Sequence, residues 1–290
     1  MISVTSLAAY EYCKRKLFLE RVLRVTVPPK EALVRGQIRH QAYDKINSAE
    51  EELVLSITKD HTEKDIENTY TQRYSRILRS VILTNKNSLR RVNLPLTDAF
   101  KQIWIFFLRE AQLRSQTVFE FIKTNKIYGS ALWEKLTPKI KSEIRVQSPI
   151  LKLKGIVDQI EVYSDHIVPV ELKTGKAPKD GIWPGHKIQL GAYILMLNEM
   201  YSTNISEGYL HYLDIQERRV VKMNPFLKDE IIKLKDNVNL LLSTPNIPNK
   251  DSNENKCTVC SIKDICYDEL KLKGLLREKF PQLEQKSLNQ

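Results

Sequence analysis

Residues 151–173 read LKLKGIVDQIEVYSDHIVPVELK. The run is rich in Ile and Val, and Ser164-Asp165 interrupts it with a turn signal, so it predicts a β-hairpin. If these two residues form the turn, Tyr163 faces His166. Counting outward from the turn then places Asp158 directly opposite Glu171, with Cβ atoms about 5 Å apart.

Lys173 lies two residues beyond Glu171 and therefore points to the same face of the strand. An Asp, a Glu and a Lys around one point predict a site for a hard cation, with a positive group for a phosphate or an attacking water. The alternative is a solvated hairpin face, but the apolar residues at 155–157 and 168–170 favour partial burial. Pro169 cannot donate to a ladder, so an edge or bulge there would shift the register.

The overall charge of the chain bears on its partner. The 290 residues carry a formal net charge of +11, and 42% are hydrophobic, which is an ordinary globular composition. Such an excess of basic residues favours a polyanionic binding partner, with nucleic acid ahead of an anionic membrane surface. We find neither an apolar run long enough for a membrane span nor a secretory signal, so we expect a cytoplasmic protein in which disulfides are disfavoured.

The remaining sequence shows mostly helical periodicity, without internal repeats. A second hairpin is predicted over residues 208–223, and the Pro- and Asn-rich residues 244–256 predict a loop. Helices are predicted over residues 4–24, 31–47, most of 50–145, 187–201 and 225–243.

Two predicted helices carry polar residues at i and i+4 spacing. Gly36 and His40 share one helical face, where the imidazole could ligate a metal, although a lone helical His is more often structural. Gln189 and Tyr193 share another face and could contact phosphates or bases. The alternative for this second pair is a helix packed on the sheet with a buried Tyr.

The chain has four cysteines. Cys257, Cys260 and Cys266 form a C-x2-C-x5-C pattern, and Cys13 lies near the other end of the chain. Four thiolates suit an iron–sulfur cluster or a tetrahedral zinc ion, and a two-residue spacing brings thiolates onto one centre. Disulfides are the third alternative. Composition alone does not separate zinc from iron.

Together these motifs resemble a known family. Gly155-Ile156-Val157-Asp158 followed by Glu171-Leu172-Lys173 resembles the paired motifs of the PD-(D/E)xK nuclease superfamily. The helical His and the QxxxY pattern resemble its RecB-like branch, and the four cysteines resemble its iron–sulfur members. The whole set is most similar to the CRISPR-associated RecB-like exonuclease family, the fourth of the numbered CRISPR-associated proteins.

The resemblance implies an α/β fold with a restriction-endonuclease-like core, in which helices flank a small mixed sheet. It implies an Mn²⁺ or Mg²⁺ site and a 4Fe-4S rather than a 2Fe-2S cluster. Lys173 would orient the attacking water or neutralise charge in the transition state. The implied site residues are His40, Asp158, Glu171 and the Leu172 carbonyl for the metal, Gln189 and Tyr193 for positioning DNA, and Cys13, Cys257, Cys260 and Cys266 for the cluster.

For the organisation of the chain we predict a single nuclease domain over 1–290 with a helical insertion at 45–145. Residues 1–24 and 244–290 would form a cluster region that joins the two ends. The implied partners are single-stranded DNA or DNA ends and the CRISPR integrase complex, with no membrane, and a homo-oligomer is left open. Two alternatives remain, namely a RecB-like nuclease of repair, restriction or a mobile element, and a non-catalytic DNA-binding adaptor.

Overall fold

The computed structural model describes residues 1–281, which form an α/β fold around one mixed sheet. The strands are β1 (Ile2–Ser3), β2 (Lys139–Ser148), β3 (Leu153–Val162), β4 (Ile167–Lys173), β5 (Glu207–Tyr212) and β6 (Glu217–Lys222). The helices are α1 (Val4–Tyr12), α2 (Lys14–Arg21), α3 (Glu31–Leu55), α4 (Glu63–Thr84), α5 (Lys86–Arg91), α6 (Leu96–Asn125), α7 (Gly129–Lys135), α8 (Pro184–Tyr201), α9 (Pro225–Ser243), α10 (Glu254–Thr258), α11 (Lys263–Tyr267) and α12 (Glu269–Lys279).

The sheet has the order β1-β3-β4-β5-β6, and β2 pairs along β3 as well. Strands β3 and β4 form an antiparallel hairpin, whereas β4 and β5 are parallel and are joined through α8. A parallel pair requires such a crossover, and a helix commonly supplies it. The predicted core, a small mixed sheet flanked by helices, is therefore confirmed.

Hydrophobic side chains form three clusters that divide the fold. One lies between α8, α1 and α9 and the sheet, and includes Tyr193 and Val157. A second unites α3, α4 and α6 with the sheet through residues such as Val170 and Leu172. The third joins α2 to the C-terminal helices around Phe18 and Ile262. The hairpin therefore lies between two cores, which fixes its position.

The helix predicted over residues 4–24 is wrong as a single element. Cys13 has extended backbone angles, with φ −165° and ψ 111°, and it separates α1 from α2. Its Sγ accepts a hydrogen bond from the backbone N–H of Lys16, 3.4 Å away, so the thiol caps the start of α2. An N-cap acceptor satisfies an otherwise unpaired N–H at a helix start, which stabilises the break.

The helical prediction for residues 50–145 also needs a correction. Helices α4 to α7 fall inside it, but residues 139–145 belong to β2, and the α3 helix predicted to end at 47 continues to Leu55. Ile140, Ile144 and Val146 alternate with polar residues, which is a strand pattern that pairing with β3 satisfies. The existence of an insertion at 45–145 and a single domain over 1–290 stay predictions.

Candidate active site

The β3–β4 hairpin has the predicted register. Tyr163 N–H donates to the His166 carbonyl at 2.9 Å, and the ladder runs from there to the pair of Gln159 with Val170. Beyond that pair, Asp158 Oδ2 accepts a hydrogen bond from the backbone N–H of Leu172 at 2.8 Å. The last regular pair therefore lies immediately before the two acidic residues, and Asp158 itself bridges the strands at this point.

Glu171 is buried and carries the most unusual electrostatics of the site. Its Oε1 accepts from Lys173 Nζ at 2.9 Å and from Gln189 Nε2 at 2.6 Å, whereas its buried Oε2 has no hydrogen-bond partner among residues 1–281. Burial and the negative charge of Asp158 raise the pKa of Glu171 to about 8, although Lys173 opposes the shift. A buried, half-satisfied carboxylate beside a second carboxylate favours an added positive charge.

His40 reaches the same centre from α3. Its Nδ1 lies 3.5 Å from Asp158 Oδ1, and the imidazole is about a quarter exposed, at 29%. Burial opposes protonation of His40, but the neighbouring Asp158 carboxylate outweighs it and raises the pKa of the imidazole. Helix α3 therefore brings an imidazole nitrogen close to the carboxylate pair. Its role as a metal ligand, which the family resemblance implies, stays a prediction.

Helix α8 supports the carboxylates from behind. Gln189 uses both ends of its amide, since it donates to Glu171 and its Oε1 accepts from Lys173 at 2.8 Å. Tyr193 is only 1% exposed and packs against Gly155 at the start of the G-I-V-D motif. Both side chains are thus placed to hold the site together, and neither presents an open face to solvent.

Gly155 and Gly36 give a testable contrast. A Cβ at Gly155 would lie 2.6 Å from Cε1 of the buried Tyr193 ring, so Gly155→Ala should destabilise the fold by about 1–3 kcal/mol through overpacking. A Cβ at Gly36 would lie 2.9 Å from Thr174 Oγ1, the end of a side chain that can rotate. Gly36→Ala should therefore cost clearly less. Urea unfolding of both variants measures the difference, and equal losses would contradict the packing role of Gly155.

A salt bridge ties α3 to the end of β4. Arg39, which precedes His40, pairs with Asp214 in the β5–β6 turn. The other carboxylate oxygen of Asp214 accepts from the backbone N–H of Gly175 at 2.8 Å, just after Lys173. The same acidic residue therefore fixes both the helix that carries the His and the strand that carries the Lys.

One nearby carboxylate, that of Glu143 on β2, was not predicted from the sequence. The β2–β3 ladder has no pair at the position of Asp158, which Glu143 faces, and Glu143 has a left-handed φ of 53°. Burial and the negative charges of Asp158 and Asp44 raise the pKa of Glu143. Correct assignment of β2 from its alternating pattern would have placed this residue beside the site.

The four cysteines lie together at the junction of the two chain ends. All four are free and half-buried, and they line one cavity with Tyr12 and Arg15. Arg15 spans the junction, because its Nε donates to Cys266 Sγ at 3.2 Å and its Nη1 to the Pro248 carbonyl at 2.8 Å. Cys13 is therefore brought to the C-x2-C-x5-C segment. Of the predicted cluster region, residues 282–290 lie outside the described part of the chain.

Neither site is arranged at metal-ligand distances in the described residues. Within 1–281, no group of three or more His, Cys, Asp and Glu side chains could hold a metal ion as placed. At the carboxylate site, Lys173 and Gln189 take up one oxygen of Glu171. The donor set still fits a divalent cation, because the unpaired Oε2 of Glu171 is a buried ligand atom and the neighbouring donors are carboxylate oxygens and an imidazole.

Comparison with protein families shows what this arrangement belongs to. A family model described as the PD-(D/E)XK nuclease superfamily matches residues 1–267. The chain belongs to the PD-(D/E)XK nuclease superfamily. The name of this superfamily agrees with the nuclease that the Asp158–Glu171–Lys173 motif predicted.

Curated relatives of this PD-(D/E)XK protein include Cas4 exonucleases. A protein named CRISPR-associated exonuclease Cas4/endonuclease Cas1 fusion, from Leptospira interrogans, is 29% identical over 51% of this chain and 29% of its own length. CRISPR-associated exonuclease Cas4 of Francisella tularensis is 26% identical over 43% of this chain and 61% of its own length. The DNA replication ATP-dependent helicase/nuclease JHS1 of Arabidopsis thaliana is 25% identical over 92% of this chain and 20% of its own length.

The aligned region spans between a fifth and about three fifths of the length of these relatives. The predicted resemblance to the Cas4-like branch of the PD-(D/E)XK superfamily is confirmed. In residues 1–281, no helix is both long and apolar enough to cross a membrane.

Proposed function

We propose that the chain is an exonuclease that trims single-stranded DNA ends with Mn²⁺ or Mg²⁺. The observation that carries the proposal is the buried Glu171, with one unpaired oxygen, beside Asp158 and Lys173 where the hairpin ladder ends. In a purely structural ion pair, both buried carboxylate oxygens usually have hydrogen-bond partners. A site that binds a cation and a phosphate accounts for both the extra negative charge and the adjacent Lys.

Each residue of the proposed site has a distinct role. His40, Asp158, Glu171 and the Leu172 carbonyl would hold the ion, which when bound supplies positive charge at the scissile phosphate and lowers the pKa of a water. Lys173 would leave its contact with Glu171 to orient that water or to neutralise charge developing on the phosphate.

We assign a supporting role to α8. Gln189 binds both Glu171 and Lys173, and Tyr193 fills the space over Gly155. The burial of both side chains supports a role in orienting the acidic and basic groups, in the way that hydrogen-bonded neighbours orient metal ligands. Direct contact of Gln189 and Tyr193 with DNA stays a prediction.

We further propose that Cys13, Cys257, Cys260 and Cys266 bind an iron–sulfur cluster, of the 4Fe-4S type. Their shared cavity and the absence of disulfides among them support a common centre. Fe–S clusters are held by four thiolates. N–H groups that donate to the sulfurs, such as that of Arg15, help to set the reduction potential of the cluster. The cluster would join chain ends that already share a hydrophobic core.

The biological role that we propose is processing of spacer precursors in CRISPR adaptation, with a Cas1-type integrase as partner. The names of the relatives support it, since three of them are Cas4/Cas1 fusions from different bacteria. A nuclease of DNA replication or repair is the second candidate. The match to the helicase/nuclease JHS1 favours it, because that match extends over 92% of this chain.

The end specificity can be tested with linear and circular substrates. With Mn²⁺, the protein should degrade an end-labelled linear single strand and leave a circular single strand of the same sequence intact. Labels at the 5′ and 3′ ends give the polarity. Equal cleavage of the circle would contradict an exonuclease and indicate an endonuclease. Binding to a purified Cas1-type integrase, compared with binding to a replicative helicase, separates the two biological roles.

The cluster proposal predicts the behaviour of Cys13→Ala. The variant should lose the visible absorption of anaerobically purified protein and should be less stable by up to roughly 4 kcal/mol, because a cross-link closing a very long loop is lost. This value is an upper limit, since the hydrophobic contacts around Phe18 and Ile262 still hold the two chain ends together. Thermal unfolding and the absorption spectrum measure both effects.

Tyr12→Phe is the matched control for Cys13→Ala, since it changes the neighbouring residue in the same cavity without removing a thiol. It should keep the colour and the stability. A colourless wild-type protein with stoichiometric zinc would contradict the iron–sulfur assignment but would still support one metal centre shared by the four cysteines. A fully coloured Cys13→Ala protein with unchanged stability would overturn the participation of Cys13.

A further inference from the structure

The helical segment that precedes the hairpin has an unusually one-sided charge. Residues 68–97 contain six Arg and Lys residues and no Asp or Glu. They form most of α4, all of α5 and the start of α6. A stretch of this kind attracts a polyanion, because nothing within it offsets the positive charge.

Part of this charge lines a surface groove between α4 and α6. We call it the α4–α6 groove and define it by Arg76, Arg79, Lys86, Phe100 and Trp104. Two adjoining shallow and open depressions share Arg76 and Arg79, so the groove is continuous, and no acidic residue is among the described residues that line it. Neither Arg76 nor Lys86 forms an ion pair within the described residues. Arg73, by contrast, is paired with Glu52 and lies outside this lining.

The groove also contains an aromatic stack. The rings of Phe100 and Trp104 lie 5.6 Å apart between centroids at an interplanar angle of 13°. The guanidinium of Arg79 lies over the Phe100 ring, 5.3 Å from its centroid. Both aromatic side chains are half-buried rather than enclosed in the core. Cations that follow a backbone beside stacked rings are the combination that binds unpaired bases.

We propose that the α4–α6 groove is an accessory binding site for single-stranded DNA. The cations would contact phosphates, and Trp104 would stack on a base. A duplex fits less well, because its bases are already paired and would leave the aromatic stack unused. The choice of DNA over RNA rests on the proposed nuclease function, whereas the groove itself stands on its charge and its rings.

The groove is connected to the proposed active site through α6. Gln102 accepts a hydrogen bond from Arg35 at 2.7 Å, and the Phe106 ring lies 3.9 Å from the guanidinium of Arg39, next to His40. The segment of α6 that carries Phe100 and Trp104 therefore also packs on the helix that carries the predicted metal ligand. DNA held in the groove would be kept near the carboxylate site, which favours long strands over short ones.

Binding of a fluorescein-labelled oligothymidylate of about 30 nucleotides, in EDTA, tests the groove without cleavage. The double variant Arg76→Glu/Arg79→Glu should bind at least about tenfold more weakly and should lower the slope of log affinity against log salt by about 1.4, the value for two lost phosphate contacts. Lys228→Glu/Lys233→Glu on α9 makes the same charge change at exposed lysines outside the groove and should have little effect.

Trp104 provides a second readout that does not depend on the charge reversals. DNA should quench wild-type tryptophan fluorescence, and Trp104→Phe should remove most of that quenching and weaken binding several-fold, while Trp133 and Trp183 remain. Unchanged affinity in both variants would overturn the proposal, as would an equal loss in the α9 control. The proposal would also be overturned if duplex DNA, RNA or polyaspartate bound as tightly as the oligothymidylate and without quenching. Such a result would indicate a surface that attracts any polyanion through its charge alone.

Failure of the groove and failure of the nuclease proposal are distinguishable. A wild-type protein that binds the oligonucleotide in EDTA but does not cleave it with Mn²⁺ would overturn the nuclease function alone. Normal binding by the groove variants, together with normal cleavage, would overturn the groove alone.

Discussion

Asp158→Ala should abolish Mn²⁺-dependent cleavage of single-stranded DNA, with a fall of at least roughly a hundredfold in rate. Removal of a side chain that only hydrogen-bonds to a metal ligand typically lowers metal affinity or activity 10–100-fold, and removal of a direct ligand should lower activity further. Asp158 accepts from the Leu172 N–H, lies 3.5 Å from His40 and raises the pKa of Glu171. The change therefore removes the group at which the three elements of the site meet. Single-turnover assays on end-labelled oligonucleotides measure the effect.

The fold should survive this substitution. Loss of Asp158 removes repulsion between two carboxylates, which offsets the lost hydrogen bond to Leu172. Asp165→Ala is the matched control, since Asp165 lies on the same hairpin, in its exposed turn, and pairs with the neighbouring His166. The control should cleave at the wild-type rate. An Asp158→Ala protein that cleaves as fast as Asp165→Ala at saturating Mn²⁺ would show that the site assignment is wrong.

Arg114→Ala should have the largest effect on stability, about 3–5 kcal/mol, because it leaves a buried acidic network without its cation. Arg114 on α6 donates to Glu110 at 2.6 Å and to Glu50 on α3 at 3.2 Å, and all three side chains are at most 15% exposed. The buried Tyr70 on α4 donates to Glu50 at 2.6 Å. The network therefore joins the three long helices through one guanidinium.

Arg109→Ala is the control for Arg114→Ala, since Arg109 is exposed on the same helix. It should change the free energy of unfolding by no more than about 0.5 kcal/mol. Denaturant unfolding of the two variants gives the comparison. Equal stability of the two would mean that the buried network contributes little to holding α3, α4 and α6 together.

Local geometry explains why the hairpin could be predicted from the sequence. A two-residue turn fixes the register of the strands that follow it, so the positions of Asp158 and Glu171 follow by counting from Ser164. The same holds for α9, where Asn224 caps a helix that opens with Pro225. In both cases, contacts within one short segment determine the structure.

The features that were missed depend on distant parts of the chain. The break at Cys13 accompanies packing of α2 on residues near Ile262, and neither side of it departs from helical periodicity. Strand β2 is stabilised by its pairing with β3, which is a contact between separate segments of the chain. Its short alternating pattern follows long helices and was included in the helical prediction. Glu143 was missed with it. A buried Tyr193 was one of the two alternatives for the QxxxY pattern. The spacing could not decide between them, because the burial depends on contact with Gly155 across the fold.

The proposed site is tested most directly by the rate of single-strand cleavage as a function of Mn²⁺ concentration, for the wild type and Glu171→Gln after removal of bound metal. The wild-type protein should be inactive in EDTA and should gain activity along a saturable curve as Mn²⁺ is added. Glu171→Gln, which keeps the shape of the side chain but not its charge, should stay inactive at concentrations that saturate the wild type. Cleavage that persists in EDTA, or a Glu171→Gln curve that overlays the wild-type curve, would contradict a metal-dependent nuclease centred on Asp158 and Glu171.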